Sequence, residues 1–262
     1  MLSKIRMQYN APLICLLLIA VGLIQCKEPA RPANNLVAGL QDSRFTYTIF
    51  EGQLGQRKRV VLADSSIVML NGGSRLLVPA GYPQQTRELI LDGEGYFDAA
   101  FNGNAQPFIV KTDKLTVTAL GTAFRVRSFA AQPGATAYLL NGKVRVAKTY
   151  HSDTDNQPEI LERGQMVLAN KEIDLMEKET YEPAELETWL QGDLQFRDQP
   201  FMTAMRQLED WYAVTITVNT DVSAIQNISA SFKDKTLQQV LDALVKPKGL
   251  DYKIKDGEVE IK

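Results

Sequence analysis

The sequence predicts a mainly β fold in two parts. An all-β unit, whose sheet must curl, sandwich or wind as a solenoid, precedes a small α+β unit ordered β-α-β-β-α-β-β. Three observations carry this. Between Phe45 and Ala169 short β-branched and aromatic runs are bounded by Gly, Asn and Pro, with no amphipathic helix among them. From Gly192 the apolar spacing changes twice to that of a helix. The 262 residues suit one large domain or two smaller ones.

The N-terminus reads as a targeting signal. Lys4 and Arg6 precede an apolar run from Ala11 to Ile24, about 14 residues against the ~20 a membrane-spanning helix needs. Leu23-Ile24-Gln25-Cys26 resembles a lipobox, with Gln25 where a small residue is usual, so residues 1–26 read as a lipoprotein signal with lipidation at Cys26 or as a short uncleaved anchor. Either reading tethers the chain to a membrane on the periplasmic face of the envelope. Cys15 lies inside the run, so cleavage leaves Cys26 without a disulfide partner. Residues 27–44, with Pro29 and Pro32, read as a tether.

Residues 45–176 read as the all-β unit. Arg59–Leu62 and Ile67–Leu70 form a hairpin across Ala63–Ser66, and Asn71-Gly72-Gly73-Ser74 is a turn. Leu89–Leu91, the bend Gly93-Glu94-Gly95 and Tyr96-Phe97 follow, then Phe108–Val110 and Leu115–Leu120. Gly121-Thr122 marks a bulge or corner before Phe124–Arg127. Asn141-Gly142 between apolar runs signals a second hairpin, because both turn positions favour positive φ. Tyr150–Pro158 is polar and reads as a mobile loop, and Met166–Ala169 is the last strand.

Residues 177–191, acidic and containing Pro183, read as a linker with a helical turn. Residues 192–262 read as the α+β unit. Asp198-Gln199-Pro200 opens a helix carrying Phe201, Met205, Leu208 and Tyr212 on one face; Asp234-Lys235-Thr236 opens a second, bearing Leu237, Val240, Leu241 and Leu244. Strands at Leu194–Phe196, Val214–Val218 and Ile228–Phe232, and a closing hairpin across Asp256-Gly257, imply one small sheet with both helices on one face.

These residues resemble the periplasmic part of the FecR family, the transmembrane sensors and anti-sigma factors of bacterial cell-surface signalling. The matching pieces are Leu62–Ser65 with Val68–Asn71, Leu91–Asp98, Pro107–Val110, Leu120-Gly121-Thr122 with Phe124–Val126, and Leu140–Val144. Gly164-Gln165 matches the family's Pro-Gly-Gln strand opening, and the tail is similar to the short signalling domain at the N-terminus of secretins and TonB-dependent receptors. The resemblance implies a non-enzymatic sensor whose partner is the signalling domain of a TonB-dependent outer-membrane transporter. Family members usually carry a cytoplasmic sigma-binding segment; only ten residues precede the apolar run here, which argues against direct sigma-factor binding.

A net charge of -2 argues against a nucleic-acid partner, and one His and two Cys leave little for a metal site. No cofactor motif is present: Gly93-Glu94-Gly95 is a fragment of a dinucleotide fingerprint with no helix behind it. Asp92, Glu94 and Asp98 alternate in a strand, which puts carboxylates on a solvated face rather than in an acid–base pair. His151, in the polar loop, has no companion acid or nucleophile in local sequence. Trp211, beside the core residue Tyr212, is a candidate docking hot spot. Tyr252 and Ile254 mark a strand, and with Val259–Ile261 a sheet edge, to which a partner strand could add. The alternative reading is an exported lipoprotein that binds a glycan or another nutrient through its β face.

Overall fold

The structure, a computed structural model, describes residues 35–103 and 106–262. Cys26 and the N-terminal run lie outside the described residues. A short 3-10 turn, Asn35–Leu40, comes first. It falls within the span read as tether, yet Val37 is buried against Leu77 and Ile90, so the last part of that span packs on the β unit.

Thirteen strands follow in one strongly bent sheet. They are β1 (Tyr47–Glu51), β2 (Lys58–Val61), β3 (Ile67–Leu70), β4 (Arg75–Pro79), β5 (Glu88–Asp98), β6 (Phe108–Lys111), β7 (Leu115–Ala119), β8 (Ala123–Ser128), β9 (Gly134–Asn141), β10 (Val144–Lys148), β11 (Glu159–Leu161), β12 (Gln165–Asn170) and β13 (Leu175–Thr180). The expected mainly β, curled sheet is what the chain forms.

One layer runs β1-β4-β5-β6-β7-β10-β11 and the other β2-β3-β5-β8-β9-β12-β13. The long β5 belongs to both: its first half pairs with β4 and β6, its second with β3 and β8. The change happens at Gly93, whose φ is 128° and where a Cβ would sit 2.4 Å from Ser74 Cβ. Only glycine fits there. Between the layers lies an apolar core centred on Phe97, Phe108 and Phe124, with ring centroids 5.3–6.3 Å apart.

Asn141-Gly142 is not a hairpin. β9 pairs with β8 and β12, and β10 with β7 and β11, so this turn carries the chain from one layer to the other. Gly121-Thr122 is the neighbouring corner, since a Cβ on Gly142 would lie 2.6 Å from Thr122 Cγ2. The Asn-Gly signal reports positive φ (Gly142, 89°), which a corner needs as much as a hairpin does.

Residues 177–191 are ordered structure rather than a linker: the end of β13, then α1 (Pro183–Gln191), with Pro at its first turn, a Glu182 cap and a left-handed Gly192 at its end. The remainder is β14 (Asp193–Gln199), α2 (Phe201–Tyr212), β15 (Thr215–Val218), β16 (Ile228–Lys233), α3 (Leu237–Leu244), β17 (Tyr252–Lys255) and β18 (Glu258–Ile261), the expected order. The strands make two sheets instead of one, β14-β16 and β15-β18-β17. Both helices bury their apolar faces in a single second core. Thr236 and Gln239 close a capping box at the start of α3.

Candidate functional site: an interface groove and a free strand edge

The tail and the β unit meet at the corner loops. Arg57, in the loop between β1 and β2, is the centre of that contact. It donates to the carbonyl of Trp189 and, at 3.3 Å, to Asp234 Oδ1, and its guanidinium lies over the rings of Trp189 and Trp211 at 5.1 and 5.8 Å. Burial pushes its pKa down from the usual arginine value, against the opposing pull of Asp234. Around it, Leu237 N–H donates to Gly55 O at 3.0 Å and Asn71 Nδ2 donates to Trp211 O at 3.2 Å.

Asn71 ties this contact to a buried carboxylate. Glu94 has no exposure and pairs with Arg125, with Arg127 at 3.2 Å and with Asn71 Nδ2 at 2.8 Å. Its expected place on a solvated face is therefore wrong. The turn at Gly93 and the corner at Asn71 enclose the carboxylate beneath β8, where two guanidinium groups pair with it. Asp92 is half-buried and bound to Arg75 at 2.6 Å, while Asp98 is exposed.

Beside the contact runs a groove of about 780 Å³. Its floor is the outer face of β8 and β9, with Arg125, Arg127 and Tyr138; its wall is α1, β14 and α2, with Trp189, Gln195, Arg197, Asp210 and Trp211. Arg125 lies over the rings of Trp189 and Tyr138 at 4.8 and 5.6 Å. Trp211 is half-buried at this junction, and Tyr212 is core, with its hydroxyl donating to Lys235 O at 2.7 Å. Trp189, half of the groove's indole content, sits on α1, a full helix where the sequence predicts a linker with a helical turn. Pro at a first helical position was the signal for that helix.

At the far side of the tail, β17 is an edge strand. β18 is central, paired on both sides, so Val259–Ile261 offers no free edge. Asp251 and Lys262 exchange both backbone bonds. By alternation, the outward amides on β17 belong to Tyr252 and Ile254. Tyr252 N–H is taken by Asp251 Oδ1 at 2.8 Å, which leaves that of Ile254. Tyr252 and Ile254 are half-buried against the second core, and Lys253 and Lys255 are exposed. Tyr252 Oη bonds Asp242 at 2.7 Å; burial, then that bond, push its pKa up to about 12.

Ser152 Oγ lies 2.8 Å from Lys148 Nζ, the spacing of a nucleophile and its base. Here Nζ also donates to Asp174 O and Oδ1, at 3.0 and 2.8 Å, which uses its three hydrogens and leaves no lone pair to take a proton. Ser152 is itself buried, so this cluster pins a loop. Among the described residues no group of three or more His, Cys, Asp or Glu could hold a metal ion, and no helix is long and apolar enough to cross a membrane.

Comparison with known proteins agrees with this architecture. The FecR protein model matches residues 48–145 and the FecR C-terminal model residues 193–261, together well over half of the chain. The chain belongs to the FecR family. Members of that family act in signalling with sigma factors and transporters and are associated with the cell envelope. Two crystal structures, at 1.65 and 2.50 Å, of a candidate anti-sigma factor from Parabacteroides distasonis ATCC 8503 share the fold. Each has a TM-score of 0.57 and 24% identity over 82% of this chain and 98% of that one. No curated protein matches the chain.

Proposed function

We propose that the chain is a non-enzymatic envelope signalling protein whose tail receives the state of a TonB-dependent outer-membrane transporter, with the β unit as its scaffold. The observation that carries this reading is the unpaired outer edge of β17, within the segment matched by the family's C-terminal model. An extended segment of the transporter's signalling domain adds there as a fourth strand, taking the outward amide of Ile254 and resting beside Tyr252. Lys253 and Lys255, which guard the edge against indiscriminate pairing, favour an acidic partner strand. Lipidation at Cys26 holds the protein to the membrane, and the name carried by the structural neighbours agrees with a role in sigma-factor signalling.

In-cell crosslinking from a photoreactive residue at position 252 or 254 tests this. The transporter's N-terminal domain is expected among the captured proteins. Its absence, with the protein exported and folded, would refute the relay.

A further inference from the structure

We propose that the groove between the β8–β9 face and the tail is a binding site for a neutral oligosaccharide. This goes beyond the transporter relay and does not rest on it.

The volume, about 780 Å³, lies within the roughly 300–1,000 Å³ of small-ligand sites. Both tryptophans of the chain, Trp189 and Trp211, line it, together with Tyr138 and Tyr181. Trp189 is buried beneath Arg57 and Arg125, so the flat apolar surface open to the C–H faces of sugar rings is that of the half-buried Trp211 and Tyr181. The polar lining is almost wholly planar: guanidinium, carboxylate and amide groups, each with two parallel hydrogen-bonding positions that match adjacent hydroxyls.

Charge decides against strongly ionic ligands. On the floor, Arg125 and Arg127 are committed to Glu94. Over the whole lining three arginines, Arg125, Arg127 and Arg197, face three carboxylates, Glu185, Asp193 and Asp210, with Glu94 beneath the floor, so neither a polyanion nor a polycation finds a complementary field. Two buried atoms of lining residues lack partners: Trp189 Nε1, a donor, and Gln199 Oε1, an acceptor. A hydroxyl both donates and accepts, so a polyhydroxylated ligand answers both needs. Because the two sides of the groove come from different cores, bound ligand would also hold the tail against the β unit.

The test is a glycan array probed with the full chain, followed by titration of the best-retained oligosaccharide while tryptophan fluorescence is read. Since both tryptophans line the groove, the signal reports that site. A neutral glycan should bind saturably with a fluorescence change, and Arg197→Ala and Asp210→Ala, both at exposed positions, should each weaken it about tenfold. Retention of no glycan would overturn the proposal. So would binding that leaves fluorescence and both variants unaffected, which puts the ligand elsewhere. An acidic ligand weakened by Arg197→Ala but not by Asp210→Ala would show an anion site instead.

Discussion

Glu94 shows how much one buried carboxylate can organise. It is held by Arg125, Arg127 and Asn71, and Asn71 in turn reaches the backbone of Trp211. Glu94→Gln would leave two guanidinium groups short of their counter-charge in a largely enclosed site. We expect a loss of about 3–5 kcal/mol, as for other buried pairs with one partner removed, measured by urea unfolding. Glu94→Leu should be no better, because the arginines stay unpaired. Gly93→Ala is expected to be severe for a different reason: positive φ combined with a clash against Ser74. Alternation in Asp92–Asp98 put Glu94 on the outward side of its strand. It could not show that other parts of the chain cover that side, because cover comes from residues distant in sequence.

At the scale of elements, the loop following β10 is held by a latch. Lys148, Ser152 and Thr154 all bond Asp174 on the turn between β12 and β13. Hydrogen bonds from Lys148 first, then Ser152 and Thr154, outweigh burial and hold the Asp174 carboxyl well below the usual carboxylate range. A lowered folded pKa means a contribution present above the unfolded value near 4 and lost as pH falls through the folded one. Amide protection factors in residues 150–157, taken relative to the intrinsic exchange rate at each pH, should therefore be high at neutral pH and fall below about pH 4. Asp174→Asn should keep protection low at all pH values; unchanged protection in that variant would show that the latch is not what orders the loop. The polar sequence that reads as mobile is the same one that supplies the latch, and only the partner Asp174 distinguishes the two cases. Strand positions were legible for a local reason, the β-branched runs between Gly and Asn. Pairing was not. The Asn141-Gly142 turn has the chemistry of a hairpin, while its flanking strands find their partners across a bent sheet. The tail's helices were legible from Phe201–Tyr212 and Leu237–Leu244, but one sheet and two sheets leave the same alternation in sequence.

For the whole molecule, the question is what makes two cores act as one. Arg57 supplies most of the specific contact: a carbonyl, a carboxylate and two indole faces from the tail converge on a side chain of the β unit. Nothing in local sequence marks Arg57, which sits among other basic residues in Gln56–Arg59. Its importance comes from α1 and α2, which present Trp189 and Trp211 to it. Arg57→Ala removes these contacts without touching either core, so each core should persist while their coupling is lost. The expected result is calorimetric unfolding in two resolved transitions where the parent protein shows one, together with a red shift in tryptophan emission as both indoles gain water. Arg57→Lys should behave like the alanine variant, since an ammonium cannot reproduce a planar fork stacked between rings. A single undiminished transition in both variants would mean that the cores are joined by the Gly55–Leu237 and Asn71–Trp211 contacts instead. If the signal passes from the tail to the β unit through this junction, the same two variants should also reduce signalling in cells while leaving capture at β17 intact.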